Sequence, residues 1–367
     1  MDLSQLTLEI FSKLEQKWLH DSHDCESGRK TRLLSIDGGI TDSISVSGEA
    51  LVYLEDQIRR KTNNPDAMIA DFFDLVTGTG IGAILAAMVT ADGGSGRPLF
   101  SAPDAVEFLV KRKAEMFKMK GRIFRERKRY SGTSIDRVLR EAFVRSVDQK
   151  SLTLRDTLKP LLVPCFDIKS SAPFVFSRAD AIESRSFDFD LWKVCRATSA
   201  TPGLFKPFSL TSSDGETSCL AVDGGLVMNN PTAAAVTHVL HNKRDFPNVT
   251  GVEDLLVLSI GSGQLCNTET RVVNGKCDTN RVVEIVFDGV SDTVDQMLGN
   301  AFCSNRSDYV RVQGKMGERG LETMSFGGRR LLTATNGERV ESFVQRLVAS
   351  SPPPSPFKVT SVNHLAN

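Results

Sequence analysis

Short apolar runs alternate with amphipathic stretches along most of this chain. Leu3, Leu6, Ile10, Leu14 and Trp18 recur at three- to four-residue spacing, which predicts a lead-in helix that docks on the main domain. After a polar gap from Asp21 to Lys30, the run Leu33-Leu34-Ser35-Ile36 reads as a strand ending in the tight-turn residues Asp37-Gly38-Gly39. Helical spacing then covers 48–61. Phe72-Phe73-Asp74-Leu75-Val76-Thr77 reads as a second strand, followed by glycines and by a helix from Ile81 whose Ile84, Leu85 and Met88 can pack back on a sheet. Gly93 to Pro98 interrupts the pattern, helical spacing returns over 103–117 and 134–146, and strands are expected at 161–167, 174–177, 220–222 and 255–260. Strands alternating with helices over so much of the chain predict an α/β fold, with a mostly parallel central sheet covered by helices on both faces.

The same pattern divides the chain into an N-terminal helical lead-in over 1–30, a core domain over 31–265, a C-terminal extension over 266–350 with helices packed on the core, and a tail over 351–367. Pro352, Pro353, Pro354 and Pro356 make that tail an expected disordered segment. Composition changes the picture mainly by exclusion. Lys plus Arg and Asp plus Glu stand at 45 each in 367 residues, so no global field favours nucleic acid or another polyanion. Seven cysteines without Cys-x-x-Cys spacing point to reduced thiols rather than a disulfide framework. The N-terminus lacks a continuous apolar signal region, and the longest apolar stretch, Ile81 to Ala91, is far short of the roughly 20 residues of a membrane span. A cytoplasmic protein is expected, with any membrane contact peripheral.

Three glycine-rich turns each come after an apolar strand: Asp37-Gly38-Gly39, Gly78-Thr79-Gly80-Ile81-Gly82, and Asp223-Gly224-Gly225 ahead of Asn229-Asn230-Pro231. The second has the form of a nucleophile elbow, Gly-x-Ser-x-Gly between strand and helix, with Gly80 at the serine position. With Arg196-Ala197-Thr198-Ser199-Ala200-Thr201-Pro202, Phe205-Lys206-Pro207 and Leu258-Ser259-Ile260-Gly261-Ser262-Gly263, these turns resemble the patatin family of lipid acyl hydrolases over roughly residues 31–265. The resemblance implies that family's three-layer fold and a Ser–Asp dyad without histidine, with Asp223 as the acid/base and position 80 as the nucleophile. It is similar in particular to the plant patatin-like subgroup in which glycine replaces the elbow serine. A glycine cannot attack an acyl carbon, so covalent catalysis is lost at its first atom. The family's first loop, Asp-Gly-Gly-Gly-x-Arg-Gly, implies oxyanion donors at Gly38 and Gly39. Here Ile40 intrudes where backbone should approach the ligand, and Asp42 sets an anion beside a developing negative charge.

These departures predict a protein that retains lipid or partner binding without turnover; a weak lipolytic hydrolase on phospholipids and galactolipids, using water oriented by Asp223, is the alternative. The helix after the elbow still aims its positive end at the pocket, which suits a carboxylate or phosphate. The resemblance makes membrane glycerolipids or fatty acids the expected ligands, and no cofactor is expected. Residues 111–129 hold ten Lys or Arg against Glu115 and Glu126, with Phe117, Met119, Ile123 and Phe124 interleaved, a pattern that suits either an anionic lipid surface or a solvated face. No nucleic-acid module accompanies it. His238 and His241 share a helical face but lack further metal-ligand spacing, so no metal site is expected. Gly78-x-Gly80-x-x-Ala83 also fits a dinucleotide-binding fingerprint, but the second strand and acidic residue that such a fold requires are replaced by Asp92 to Pro98.

Overall fold

Parallel strands covered on both faces carry runs of consecutive apolar residues rather than alternating ones, and such runs stand here at Leu33-Leu34, Leu75-Val76 and Leu255-Leu256-Val257-Leu258. A computed structural model describes residues 29–39, 43–119, 130–145, 149–263, 279–324 and 328–349. The expected lead-in helix, Ile40, Asp42, residues 120–129 of the basic run and the tail lie outside the described residues. In chain order the strands are β1 (Thr31–Ile36), β2 (Leu75–Gly78), β3 (Leu161–Asp167), β4 (Ala172–Ser177), β5 (Phe208–Thr211), β6 (Ser218–Asp223), β7 (Leu255–Ile260) and β8 (Tyr309–Val312), with a separate hairpin of β9 (Arg319–Thr323) and β10 (Arg329–Thr335). The helices are α1 (Ser43–Thr62), α2 (Ile69–Phe72), α3 (Gly80–Met88), α4 (Ala102–Met116), α5 (Gly132–Ala142), α6 (Arg178–Glu183), α7 (Leu191–Thr198), α8 (Gly225–Met228), α9 (Thr232–His241), α10 (Thr279–Ala301) and α11 (Asn336–Ala349).

The main sheet runs β5-β6-β3-β2-β1-β7-β8, with β4 on β3. The β3-β2-β1-β7-β8 pairings are parallel, and β4, β6 and β5 add antiparallel pairs at the other end. Because side chains alternate along a strand, Leu34, Ile36, Val76, Leu256 and Leu258 enter one core with α1, α3, α4 and α11, while Leu33, Leu75, Leu255 and Val257 enter a second with α9 and α10. This is the three-layer α/β arrangement expected from the sequence.

Strands 161–167 and 255–260 stand where the apolar runs place them. The second strand does not. It starts at Leu75, and Ile69–Phe72 is a helical turn instead. The cause is tertiary: the Glu55 carboxylate accepts the Ile69 N–H at 3.2 Å, and Asp74 accepts the Arg32 backbone N–H at 2.9 Å and its guanidinium at 2.8 and 2.9 Å. The helix expected over 134–146 spans 132–142, where Ser131 caps its start. After α3 the next sheet strand is β3, reached only after α4 and α5, so the immediate second strand of a dinucleotide fold is absent among the described residues.

The pairing brings the carboxyl ends of the parallel strands level, with Ile36 opposite Gly78 and Ile260, and Ile260 opposite Val312. Loops after these strands therefore meet at one edge, the place where open α/β sheets bind ligands. One residue earlier, Thr77, Ser35, Ser259 and Arg311 form a polar row across the buried sheet, on the face that α9 and α10 cover.

Candidate functional site

The elbow between β2 and α3 contains three glycines with two different reasons to be there. A Cβ built on Gly78 would stand 2.4 Å from Gly82 O, and one on Gly82 would stand 2.4 Å from both Ile36 O and Asp37 O, so neither position admits a side chain. Gly80 is different. Its φ of +52° is a conformation that L-residues rarely adopt, but a Cβ there would meet nothing nearer than Gly39 O at 3.5 Å and Gly38 Cα at 3.6 Å. The elbow thus keeps the strained turn and the space that a nucleophile needs, facing the first glycine loop, without the side chain.

Thr198, at the end of α7, joins the elbow to the Asp223 turn. Its Oγ1 accepts the Gly80 N–H at 3.1 Å and donates to Pro164 O at 2.7 Å, and its carbonyl accepts the Gly224 N–H at 3.3 Å. Asp223 ends β6 and is 2% exposed. Its Oδ1 accepts the Gly225 N–H at 2.8 Å and its Oδ2 accepts Thr201 Oγ1–H at 2.5 Å. Burial pushes the carboxyl up to about 6, against the opposing pull of these two hydrogen bonds. Gly224 and Gly225 are fixed by close approach: their Cβ positions lie 2.1 Å from Pro164 O and 2.8 Å from the Phe287 ring.

In the first loop the two glycines have diverged in use. The Gly38 N–H donates to Asn229 O at 2.9 Å and is therefore committed to holding the loop, not to receiving an oxyanion. For the Gly39 N–H no described group serves as acceptor. A Cβ on Gly38 would collide with Asn229 Oδ1 at 2.5 Å, so Asn229 packs directly under this loop. The Asn229 amide donates to Phe287 O at 3.2 Å and Ser291 Oγ at 2.9 Å, which brings α10 over the site.

Asp37 is anchored by residues far away in sequence. Arg311 of β8 forks onto it, Nη1 to Oδ1 at 2.7 Å and Nη2 to Oδ2 at 2.6 Å, and Ser291 Oγ donates to Oδ2 at 3.2 Å. Arg311 also reaches Ser259 Oγ at 2.8 Å. Burial pushes the Asp37 carboxyl above its ordinary value and Arg311 pulls it back only in part. Burial also works against the Arg311 cation, but the Asp37 charge overcomes it and holds the guanidinium above its ordinary value. A fork at these distances is the geometry of an ionised pair.

The site therefore joins Gly38, Gly39, Gly78, Gly80, Gly82, Asp223, Gly224 and Gly225, all legible as motif residues. Thr198, Thr201 and Asn229 stand within the sequence motifs, but nothing in the sequence assigns them a role. Arg311 and Ser291 carry no local signal, because their partner is more than half the chain away. Chemically, the arrangement offers a buried carboxylate of raised pKa, a helix N-terminus and an unassigned backbone donor, but no nucleophile among the described residues at the elbow. Of the basic run, Lys111 pairs with Glu107, and Arg112 pairs with Glu115 at 2.8 Å and Glu141 at 2.6 Å. His238 Nε2 lies 3.2 Å from the Asn242 amide, and among the described residues no group of three or more His, Cys, Asp or Glu could hold a metal. No helix among them is long and apolar enough to cross a membrane.

Residues 34–236 match the family model described as patatin-like phospholipase. Over its full length the chain is 63% identical to a protein of Arabidopsis thaliana named probable inactive patatin-like protein 9, and spans 99% of it. From the same plant, patatin-like protein 6 is 47% identical over 77% of the chain, which spans 58% of that protein, and patatin-like protein 7 is 40% identical over 95% of the chain, which spans 81% of that protein.

Proposed function

The chain belongs to the patatin-like phospholipase family, and we propose that it is a catalytically inactive member whose pocket holds an acyl lipid instead of cleaving it. The observation that carries this reading is the side-chain-free elbow: the space beside Gly39 is kept, the turn keeps its φ of +52°, and the attacking atom is gone. What remains suits binding. The α3 N-terminus and the Gly39 N–H offer donors to a carboxylate or phosphate, and the elbow stands on a deep apolar core. Membrane glycerolipids or fatty acids are the ligands, met in the cytoplasm, with residues 111–129 as a peripheral membrane contact. Calorimetry with a fatty acid and a lysophospholipid, beside a lipid-release assay, tests the reading. Saturable micromolar or weaker binding with no release is expected; release by wild type that Asp223→Ala abolishes would overturn it.

One observation favours a second reading. A carboxyl at about 6 is well placed to act as a general base near neutral pH, so water oriented by Asp223 could support slow ester hydrolysis. Two features oppose it: Thr201 already donates to the carboxylate, and the Gly38 N–H is committed to Asn229. Losing one oxyanion donor costs about 10²- to 10³-fold in rate.

A further inference from the structure

The two long faces of α10 differ in what covers them. Val283, Phe287, Ser291 and Leu298 are buried against the domain, whereas Val282, Ile285 and Met297 stand 48%, 52% and 64% exposed, with Gly289 and Thr293 exposed between them. A Cβ built on Gly289 would meet nothing within 4 Å, so no described group covers the middle of this outer face. Val282, Ile285, Gly289, Thr293 and Met297 follow at steps of three, four, four and four, which sets them in one row along the helix. Single exposed apolar residues are ordinary on a surface. Three in one row, with the half-buried Val286 and Val290 beside them, make a stripe suited to a second helix.

One segment of the chain has the matching row. Leu3, Leu6, Ile10, Leu14 and Trp18 repeat the steps of three, four, four and four, so that each row, as a helix, is about 22 Å long. Residues 1–28 lie outside the described residues, and the chain that follows them is anchored beside the end of α10. Lys30 Nζ donates to Asp308 Oδ2 at 2.7 Å, and the hydroxyl of the next residue, Tyr309, donates to Asp295 Oδ1 of α10 at 2.8 Å. The start of β1 is thus tied to the turn of α10 that carries Met297. Residues 19–28 reach about 33 Å at full extension, which brings Trp18 within reach of Met297. Other occupants fit less well. The tail holds Pro352, Pro353, Pro354 and Pro356 and has no such row. An anionic bilayer would be repelled, because α10 carries Glu284, Asp288, Asp292 and Asp295 against Arg281 alone.

We propose that the outer face of α10 is the docking surface for the chain's own N-terminal segment, with residues 3–18 packed along it as a helix and Trp18 toward Met297. Docking there braces α10 from outside. The inner face of the same helix holds the glycine-rich site together, since Asn229 donates to Phe287 O and Ser291 Oγ, and Ser291 donates to Asp37.

Trp18 is the built-in reporter, read in the intact protein as the fluorescence difference between wild type and Trp18→Phe. Its emission should be blue-shifted and shielded from acrylamide in the wild type. Quenching should rise several-fold when Ile285→Lys and Met297→Lys are combined, and also in Gly289→Lys. Lysine is a better helix former than glycine, so exposure of Trp18 in Gly289→Lys cannot come from a weakened α10. Val110→Lys, at an exposed apolar position on α4, should leave Trp18 shielded. Free quenching of Trp18 in the wild type, or shielding that survives the stripe substitutions, would overturn the proposal. So would shielding that appears only at protein concentrations giving a dimer in sedimentation, which assigns the stripe to a second copy. Shielding that appears only with phosphatidylcholine vesicles would overturn it too, and assigns the stripe to a lipid surface.

Discussion

A serine introduced at Gly80 would find room but not a relaxed backbone. Its Cβ would stand 3.5 Å from the nearest atom, ordinary van der Waals contact, while φ of +52° costs an L-residue of order 1–3 kcal/mol. Gly80→Ser should therefore fold with stability lowered by about that amount, measured by urea denaturation, and show little esterase activity. Adding Ile40→Gly and Asp42→Arg, which bring back two of the three first-loop positions that depart from the family pattern and leave Ser43, should raise turnover at least about 10²-fold over Gly80→Ser, the scale of one oxyanion donor. Equal activity in the single and triple variants would mean that the loop is not what limits the site. Asp223 makes a second expectation at this scale. Its carboxyl titrates at 3.8 when unperturbed, as in the unfolded chain, and at about 6 in the fold. Well below the lower value both states hold the proton; between the two values the unfolded chain releases it and the folded chain does not. The stabilisation from this group is thus present at low pH and lost as pH rises through about 6, by about 3 kcal/mol in all. Asp223→Asn removes the titration, so its stability relative to wild type should improve by up to about that much between about pH 4 and 7. A difference flat with pH would show that Asp223 is better solvated than its burial implies.

Among the elements, β8 has a part that its length conceals. It extends the parallel sheet beside β7, and its Arg311 fixes the Asp37 carboxylate from which the first glycine loop departs. Removing one partner of a buried ion pair leaves an uncompensated charge and costs about 3–5 kcal/mol. Arg311→Met should lose that much in chemical denaturation, and Asp37→Asn added to it should recover a large part; full additivity of the two losses would show that the pair is not coupled. The strands β1, β3 and β7 are legible in the sequence through the short apolar runs that buried parallel strands carry, and α3, buried at all nine positions, is legible through Ile84, Leu85 and Met88. The apolar pattern places β2 too early because the carboxylates that recruit Ile69 and Arg32, Glu55 and Asp74, act through tertiary contacts that no local window contains. It passes over β8 because Arg311 itself interrupts that strand's short apolar run, Tyr309-Val310 before it and Val312 after it. In the site, the motif glycines are legible because backbone approach demands glycine. Thr201 is not, since a hydroxyl beside Asp223 becomes visible only when α7 and β6 are brought together.

For the whole molecule, charge balance decides how a membrane could be sensed. With 45 cations against 45 anions there is no long-range field, so any attraction to an anionic bilayer must come from a local cluster acting within a Debye length of about 10 Å at 0.1 M salt. The front of the basic run is a poor candidate, because Lys111 and Arg112 are ion-paired to Glu107, Glu115 and Glu141. The cations beyond Lys118 hold most of the remaining charge, with Glu126 as their single acidic neighbour before Tyr130. Each basic residue near such a surface contributes about 1 kcal/mol. Replacing Arg125, Arg127, Lys128 and Arg129 together with alanine should therefore abolish measurable binding to vesicles containing phosphatidylserine, in a co-sedimentation assay at about 0.1 M salt. Wild-type association should fall steeply between about 0.05 and 0.5 M salt, as expected for an interaction screened within about 10 Å. Neutral phosphatidylcholine vesicles should bind neither form. Association that survives both the substitutions and high salt would rest on apolar insertion instead, and the run would then be an ordinary solvated face.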